Sequence, residues 1–132
     1  MANSLQIVAI TLCVVNILFG AILAYVSYQG IKGKIKPNGA VGVRLSMSRN
    51  YKLYQKEKYW YPLNRYGGEK TIYVTVAWTL LSLIITVLPI DPLIKIYALN
   101  AILILWIVAL AGLAWHLYRY GDKLVSGDPA YR

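Results

Sequence analysis

Three long, mostly apolar runs constrain this chain more than any other feature. They cover Leu5–Tyr28, Thr71–Ile90 and roughly residues 94–117, and the only charged residue in them is Lys95, at the start of the third. A helix needs about 20 apolar residues to cross the hydrocarbon core of a bilayer, where it satisfies its own backbone hydrogen bonds. We therefore predict an all-α integral membrane protein with three transmembrane helices, at about residues 5–28, 71–90 and 94–118.

Composition supports this class of protein. The chain has 132 residues, of which 58% are hydrophobic and only 14% charged, whereas soluble domains carry about a quarter charged residues. This length predicts one membrane domain over residues 1–132. Between the second and third runs, Asp91 and Pro92 mark the start of a helix, so we expect a tight helical hairpin there.

The distribution of Lys and Arg predicts the orientation in the membrane. Ten of the fourteen lie in the loop at residues 30–70, whereas the turn at residues 91–95 has one. Because positively charged loops stay on the cytoplasmic side, we expect this long basic, aromatic-rich loop to be cytoplasmic, between helices 1 and 2. The N-terminus then lies outside and the short C-terminal tail inside.

The composition of this loop suits the lipid headgroup layer. Tyrosine and tryptophan alternate with lysine and arginine, so anionic membrane lipids are expected partners and nucleic acid is not. We expect residues 49–61 to form a short interfacial helix that Pro62 ends or bends. Gly67 and Gly68 should loosen the chain just before the second span.

Polar and small residues within the spans predict where helices pack together. Hydroxyl side chains recur at helical spacing in the second span, and a small-xxx-small pair and two asparagines lie in the others. An asparagine in an apolar run indicates either packing between helices or a polar spot for a ligand, lipid or partner subunit. The predicted packing residues are Asn16, Gly20, Ala24, Thr75, Thr79, Ser82, Thr86 and Asn100.

The titratable residues give no pattern typical of an enzyme. The chain has one histidine, one cysteine and five carboxylates, and none of them stands at the spacing of a metal site or of a nucleophile with its base. We therefore expect no catalytic residues, no metal and no cofactor. The spans lack internal charged residues, which also disfavours a channel or carrier.

Residues 36–68 contain two segments, "KPNGAVGVR" and "WYPLNRYGG", that resemble the SdpI family of small multi-span membrane proteins. The positions that match the pattern of that family are Pro37, Asn38, Gly42, Arg44, Trp60, Asn64, Arg65 and Gly68. The interval between Arg44 and Trp60 is longer than in the family. The resemblance implies a protein of the plasma membrane of a bacterium or archaeon, associated with immunity to a secreted membrane-active toxin or with holding a regulator at the membrane.

Two functions follow as expectations. The first is a non-catalytic immunity or signalling role of SdpI type, with the basic loop as the contact surface. The second is an accessory or structural subunit of a larger membrane-embedded enzyme complex, so other membrane protein subunits or a homo-oligomer are expected partners. The residues expected to bind a partner or lipid headgroups are Asn38, Gly42, Arg44, Trp60, Asn64 and Arg65.

Overall fold

The chain folds into helices joined by short connections, apart from one long segment after the first. The computed structural model describes residues 2–37 and 42–131, and within these ranges no strand occurs. The helices are α1 (Ala2–Ile31), α2 (Tyr51–Tyr54), α3 (Glu57–Val87) and α4 (Pro92–Val125). Three of them, α1, α3 and α4, are long and apolar enough to cross a membrane, which confirms the three predicted spans.

Helix α3 begins earlier than the sequence predicts. It starts at Glu57 and runs without interruption through Pro62, Gly67 and Gly68, so Pro62 does not end a helix and the expectation of a loosened chain at the two glycines is wrong. Pro62 lies in the second turn, where its missing N–H removes only one backbone hydrogen bond. The last part of the predicted loop at residues 30–70 is therefore helical, and α2 is only a short turn of helix before it.

The two glycines in α3 permit close packing against neighbouring segments and do not form a flexible joint. A Cβ atom at Gly68 would lie 2.5 Å from the carbonyl oxygen of Ser27 in α1, and one at Gly67 would lie 2.9 Å from the side chain of Val43. Any side chain at position 68 would therefore separate α1 from α3. Glycine is required here by packing, although it weakens the helix by about 1 kcal/mol relative to alanine.

The turn between α3 and α4 has the predicted helix start. The carboxylate of Asp91 accepts a hydrogen bond from the backbone N–H of Leu93 at 2.8 Å, and Pro92 follows as the first residue of α4. Lys95 donates to the carbonyl oxygen of Thr86 at 2.8 Å, near the end of α3. Side chains thus cap both helix ends at this turn: Asp91 caps the start of α4, and Lys95 caps the end of α3.

The three long helices contact one another along narrow seams. Every pair of these helices is in contact, and the packing of α1 against α3 is the most extensive. The indole rings of Trp78 and Trp106 stack between α3 and α4, with 4.0 Å between centroids and 8° between planes. The outer faces of all three helices are exposed apolar surface, as expected for helices whose surroundings are lipid or other protein.

At one end of the helices the remaining chain folds into a compact unit, here called the basic cap: residues 32–37, 42–70 and 117–131. Its apolar core consists of Leu45, Leu53, Tyr54, Leu63, Leu117 and Val125. Leu45 has a positive φ of 49°, which is unfavourable for a branched side chain. The Leu45 side chain packs against Gly121, where a Cβ would lie 2.7 Å from it.

Candidate functional site

The basic cap is organised around the side-chain amide of Asn64, which is 3% exposed. Its Oδ1 accepts a hydrogen bond from the backbone N–H of Val43 at 2.6 Å. Its Nδ2 donates to the carbonyl oxygens of Trp60 at 3.0 Å and Val43 at 3.4 Å. The amide therefore pairs with the backbone of an irregular segment and fixes that segment against α3.

Trp60 makes a second attachment of the same kind. Its ring is fully buried, and its indole N–H donates to the carbonyl oxygen of Ile35 at 2.7 Å. Gly42, at a φ of 128°, lies against both side chains: a Cβ there would be 2.8 Å from the Trp60 ring and 2.9 Å from Asn64 Oδ1. Gly42, Trp60 and Asn64 thus form one cluster, which we call the asparagine clamp.

The predicted binding residues therefore divide into two groups. Gly42, Trp60 and Asn64 come together, and their polar contacts are within the chain. Arg44 is half-buried, whereas Arg65 is exposed and forms an ion pair with Glu69 at 3.5 Å. Asn38 lies outside the described residues.

A second polar cluster joins α2 to α4. The hydroxyl of Tyr54 donates to Asp122 Oδ1 at 2.9 Å, and the side-chain amide of Asn50 donates to the same oxygen at 3.4 Å. Burial raises the pKa of the Tyr54 phenol to about 12. The phenol is therefore neutral throughout the physiological range and acts as a fixed donor to Asp122.

A third cluster attaches the C-terminal residues to the start of α3. Asp128 Oδ1 accepts from the backbone N–H of Ala130 at 2.9 Å, and Oδ2 accepts from the Tyr59 hydroxyl at 2.8 Å. Lys58 adds an ion pair at 3.2 Å. These contacts, with the Ala130 N–H as the largest, hold the pKa of Asp128 well below its usual range. The Asp128 side chain is only 4% exposed, and its several partners compensate for the burial of the charge.

Outside these clusters the cap presents a basic surface. A surface cavity of about 550 Å³ lies beside Arg49 and Lys52 and is bounded on one side by Ala130. Exposed cations of this kind hold phosphate or carboxylate groups through charge-assisted hydrogen bonds. The exposed basic side chains of the cap are Lys32, Lys34, Lys36, Arg49, Lys52, Lys56, Lys58, Arg65, Lys70, Arg119 and Lys123.

The predicted hydroxyl stripe lies in the seam between α1 and α3. The side chains of Thr75 and Ser82 are fully buried, and Gly20 packs directly against Thr79. The hydroxyls of Thr79, Ser82 and Thr86 donate to carbonyl oxygens four residues earlier in α3. These three hydroxyls therefore find their hydrogen-bond acceptors within α3, and their small side chains allow α1 to approach closely.

The remaining predicted packing residues, Asn16, Ala24 and Asn100, lie in different environments. Asn16 is buried in α1, and Ala24 lines the α1–α3 seam together with Gly20. Asn100 is exposed on α4 and donates only to the carbonyl oxygen of Ile96 in its own helix, at 3.0 Å. Asn100 therefore does not pack between the described helices.

Sequence reasoning missed the second and third clusters. In the sequence, Tyr54 and Tyr59 are two of several loop tyrosines suited to the headgroup layer, and Asp122 and Asp128 belong to no recognisable motif. Their partners are 68 and 69 residues away in the sequence, so no local pattern connects them. One feature of the sequence does set Asp122 and Asp128 apart: both lie beyond the third predicted span, in a chain with few acidic residues.

In the part of the chain that the structure describes, no three His, Cys, Asp or Glu side chains lie together as a metal site requires. Comparisons with known proteins give no match: no family model, no curated protein and no solved structure matches the chain. The resemblance to the SdpI family stays an expectation from the sequence.

Proposed function

We propose that the chain is a non-catalytic multi-pass membrane protein that acts through its basic cap as a contact surface, in an immunity or signalling role of SdpI type. The single observation that carries the proposal is that the predicted loop is a folded unit. The asparagine clamp and the two tyrosine–aspartate clusters fix its backbone, and cationic side chains project from it. A surface with fixed positions binds a partner at a smaller loss of entropy than a flexible loop does.

The proposal places the cap on the cytoplasmic side of the plasma membrane of a bacterium or archaeon, with the N-terminus outside. The three apolar helices are compatible with such a protein, and the charge distribution supports this orientation. Anionic lipid headgroups are a natural ligand for the exposed cations next to the bilayer. In the immunity role, the cap binds a regulator or the toxin-response machinery at the membrane.

A survival assay tests the proposal. A sensitive bacterial host expresses the chain and is challenged with culture supernatant from the source strain, which supplies the secreted membrane-active toxin. We expect the wild-type chain to protect the host, and Arg44→Ala and Arg65→Ala to abolish protection without lowering the amount of protein in the membrane. Lys95→Ala is the control, since Lys95 lies near the start of α4, outside the basic cap, and should protect as the wild type does.

A second candidate, an accessory subunit of a larger membrane-embedded enzyme complex, is favoured by a different observation. The outer face of α1 exposes large apolar side chains, among them Leu18, Phe19 and Ile22, at 58%, 58% and 62%. In a complex this face would pack against a catalytic subunit. This candidate predicts that deleting the chain lowers the assembly of another enzyme and leaves survival under toxin unchanged.

A further inference from the structure

Helix α4 is the least covered of the three candidate spans. Of its most apolar 18 residues only 6% are buried in the chain, against 22% for α1 and 17% for α3. Four exposed residues follow one another along α4 at intervals of four: Asn100, Ile104, Val108 and Gly112. Side chains at this spacing form one line that winds around the helix by about 40° at each step, because four residues exceed the 3.6 of one turn.

Asn100 is a polar group at a depth where lipid offers no hydrogen bonds. It lies eight residues after Pro92, or about 12 Å into α4 at 1.5 Å per residue. Its Nδ2 bonds the Ile96 carbonyl, whereas its Oδ1 accepts no hydrogen bond from any described residue. Polar side chains inside a membrane usually face protein, because an unpaired amide is unfavourable in hydrocarbon.

Gly112 lies on the same line, three turns further along. A Cβ atom built at Gly112 meets no atom within 4 Å, so the helix backbone is open to approach from outside. Association of helices in lipid depends on close backbone packing at small residues and on hydrogen bonds between polar ones. The line from Asn100 to Gly112 has both features on one exposed surface.

We propose that this face of α4 packs against the same face of a second copy of the chain, in a parallel dimer in which the two Asn100 side chains exchange amide hydrogen bonds. A two-fold interface must be self-complementary, and an amide is, because it carries both donors and an acceptor. Two copies inserted alike have their α4 helices parallel and Asn100 at equal depth. Between Ile96 and Leu117 the helix has no Lys, Arg, Asp or Glu to cause repulsion. The inference requires only that α4 crosses a membrane, and it is independent of the proposed function.

Counting of subunits in bilayers tests the dimer. The full chain, labelled with one fluorophore at the N-terminus, is reconstituted into phosphatidylcholine and phosphatidylglycerol vesicles over a range of protein-to-lipid ratios, and bleaching steps are counted. We expect two steps for the wild type. Asn100→Leu should weaken dimerisation about tenfold, because it removes two amide hydrogen bonds, and Gly112→Leu should weaken it by blocking close approach. Both variants should keep the wild-type helix content, since neither residue contacts another helix in the chain.

Cysteine cross-linking locates the interface. In a Cys13→Ala background, Ile104→Cys and Ile22→Cys place the same new side chain at equal exposure, 61% and 62%, on α4 and α1. We expect oxidation to link two copies through position 104 and not through position 22. Single bleaching steps at every ratio, equal cross-linking at both positions, or an Asn100→Leu variant that dimerises as the wild type does would each overturn the inference. A different protein cross-linked to position 104 in native membranes would overturn it as well.

Discussion

Replacing Asn64 with alanine removes the side chain that holds the segment after Gly42 against α3. The three hydrogen bonds of the Asn64 amide do not contribute equally to the cost of this substitution. The Trp60 carbonyl keeps its own helical partner, and the bond to the Val43 carbonyl is long, at 3.4 Å. The main effect is on the Val43 N–H, which loses its 2.6 Å bond to Oδ1 in a half-buried site.

The size of the effect follows from that single donor. A backbone N–H left without a partner on burial costs about 1–3 kcal/mol, so we take about 2 kcal/mol for the opening of the segment. This corresponds to an increase of about 30-fold in the rate of hydrogen exchange when opening is fast and reversible. Hydrogen exchange followed by mass spectrometry, on the full chain in mild detergent, measures the peptide that covers residues 42–48.

Asn3→Ala is the matched control for this experiment. It removes the same side chain, but Asn3 is exposed near the start of α1 and lies outside the basic cap. We expect the exchange of residues 42–48 to be unchanged in this variant. The reasoning about the clamp is refuted if Asn64→Ala changes the exchange of residues 42–48 no more than Asn3→Ala does.

Three further predictions concern the cap and the α1–α3 seam. Burial raises the pKa of Tyr54 from 10.0 to about 12, so the neutral phenol stabilises the fold below pH 10, and this contribution is lost as the pH rises from about 10 to about 12; thermal unfolding should show a larger loss over this range in the wild type than in Tyr54→Phe. The pKa of Asp128 is lowered, so its carboxylate stabilises the C-terminal residues above its ordinary pKa of about 4 and loses this effect as the pH falls below it. Relative to the intrinsic exchange rate at the same pH, hydrogen exchange of residues 126–131 should therefore rise in the wild type when the pH falls below about 4, and should be fast on both sides of that pH in Asp128→Asn. Gly68→Ala should lower stability by about 1–3 kcal/mol, because its Cβ would meet the Ser27 carbonyl, whereas Gly127→Ala, with no atom within 4 Å of the added Cβ, should be neutral or slightly stabilising in thermal unfolding.

The spans were predictable because their determinants are local. A run of apolar residues long enough to cross a bilayer requires no knowledge of what it packs against, and the Asp91–Pro92 helix start is a contact between residues two apart. The seam was partly predictable for the same reason. The spacing of Thr75, Thr79 and Ser82 places them on one face, and the structure puts that face against α1.

The basic cap was not predictable from local pattern, because its contacts join distant residues. Asn64 bonds a residue 21 positions earlier, and Tyr54 bonds one 68 positions later. Pro62 and the Gly67–Gly68 pair are local signals for a break, yet tertiary packing overrides them. Burial of Trp60, Leu63 and Asn64 stabilises the first turns of α3, and the glycines permit the approach of α1.

The most direct test of the proposed function is to identify what accompanies the chain in its native membrane. A tag at the N-terminus leaves the Asp128 contacts intact; membranes are extracted in mild detergent, and the tagged species is resolved on a native gel and identified by mass spectrometry. The proposed function predicts a small species, one or two copies of the chain without a larger enzyme. Reproducible, near-stoichiometric migration with one larger assembly would contradict it and establish the accessory-subunit function instead.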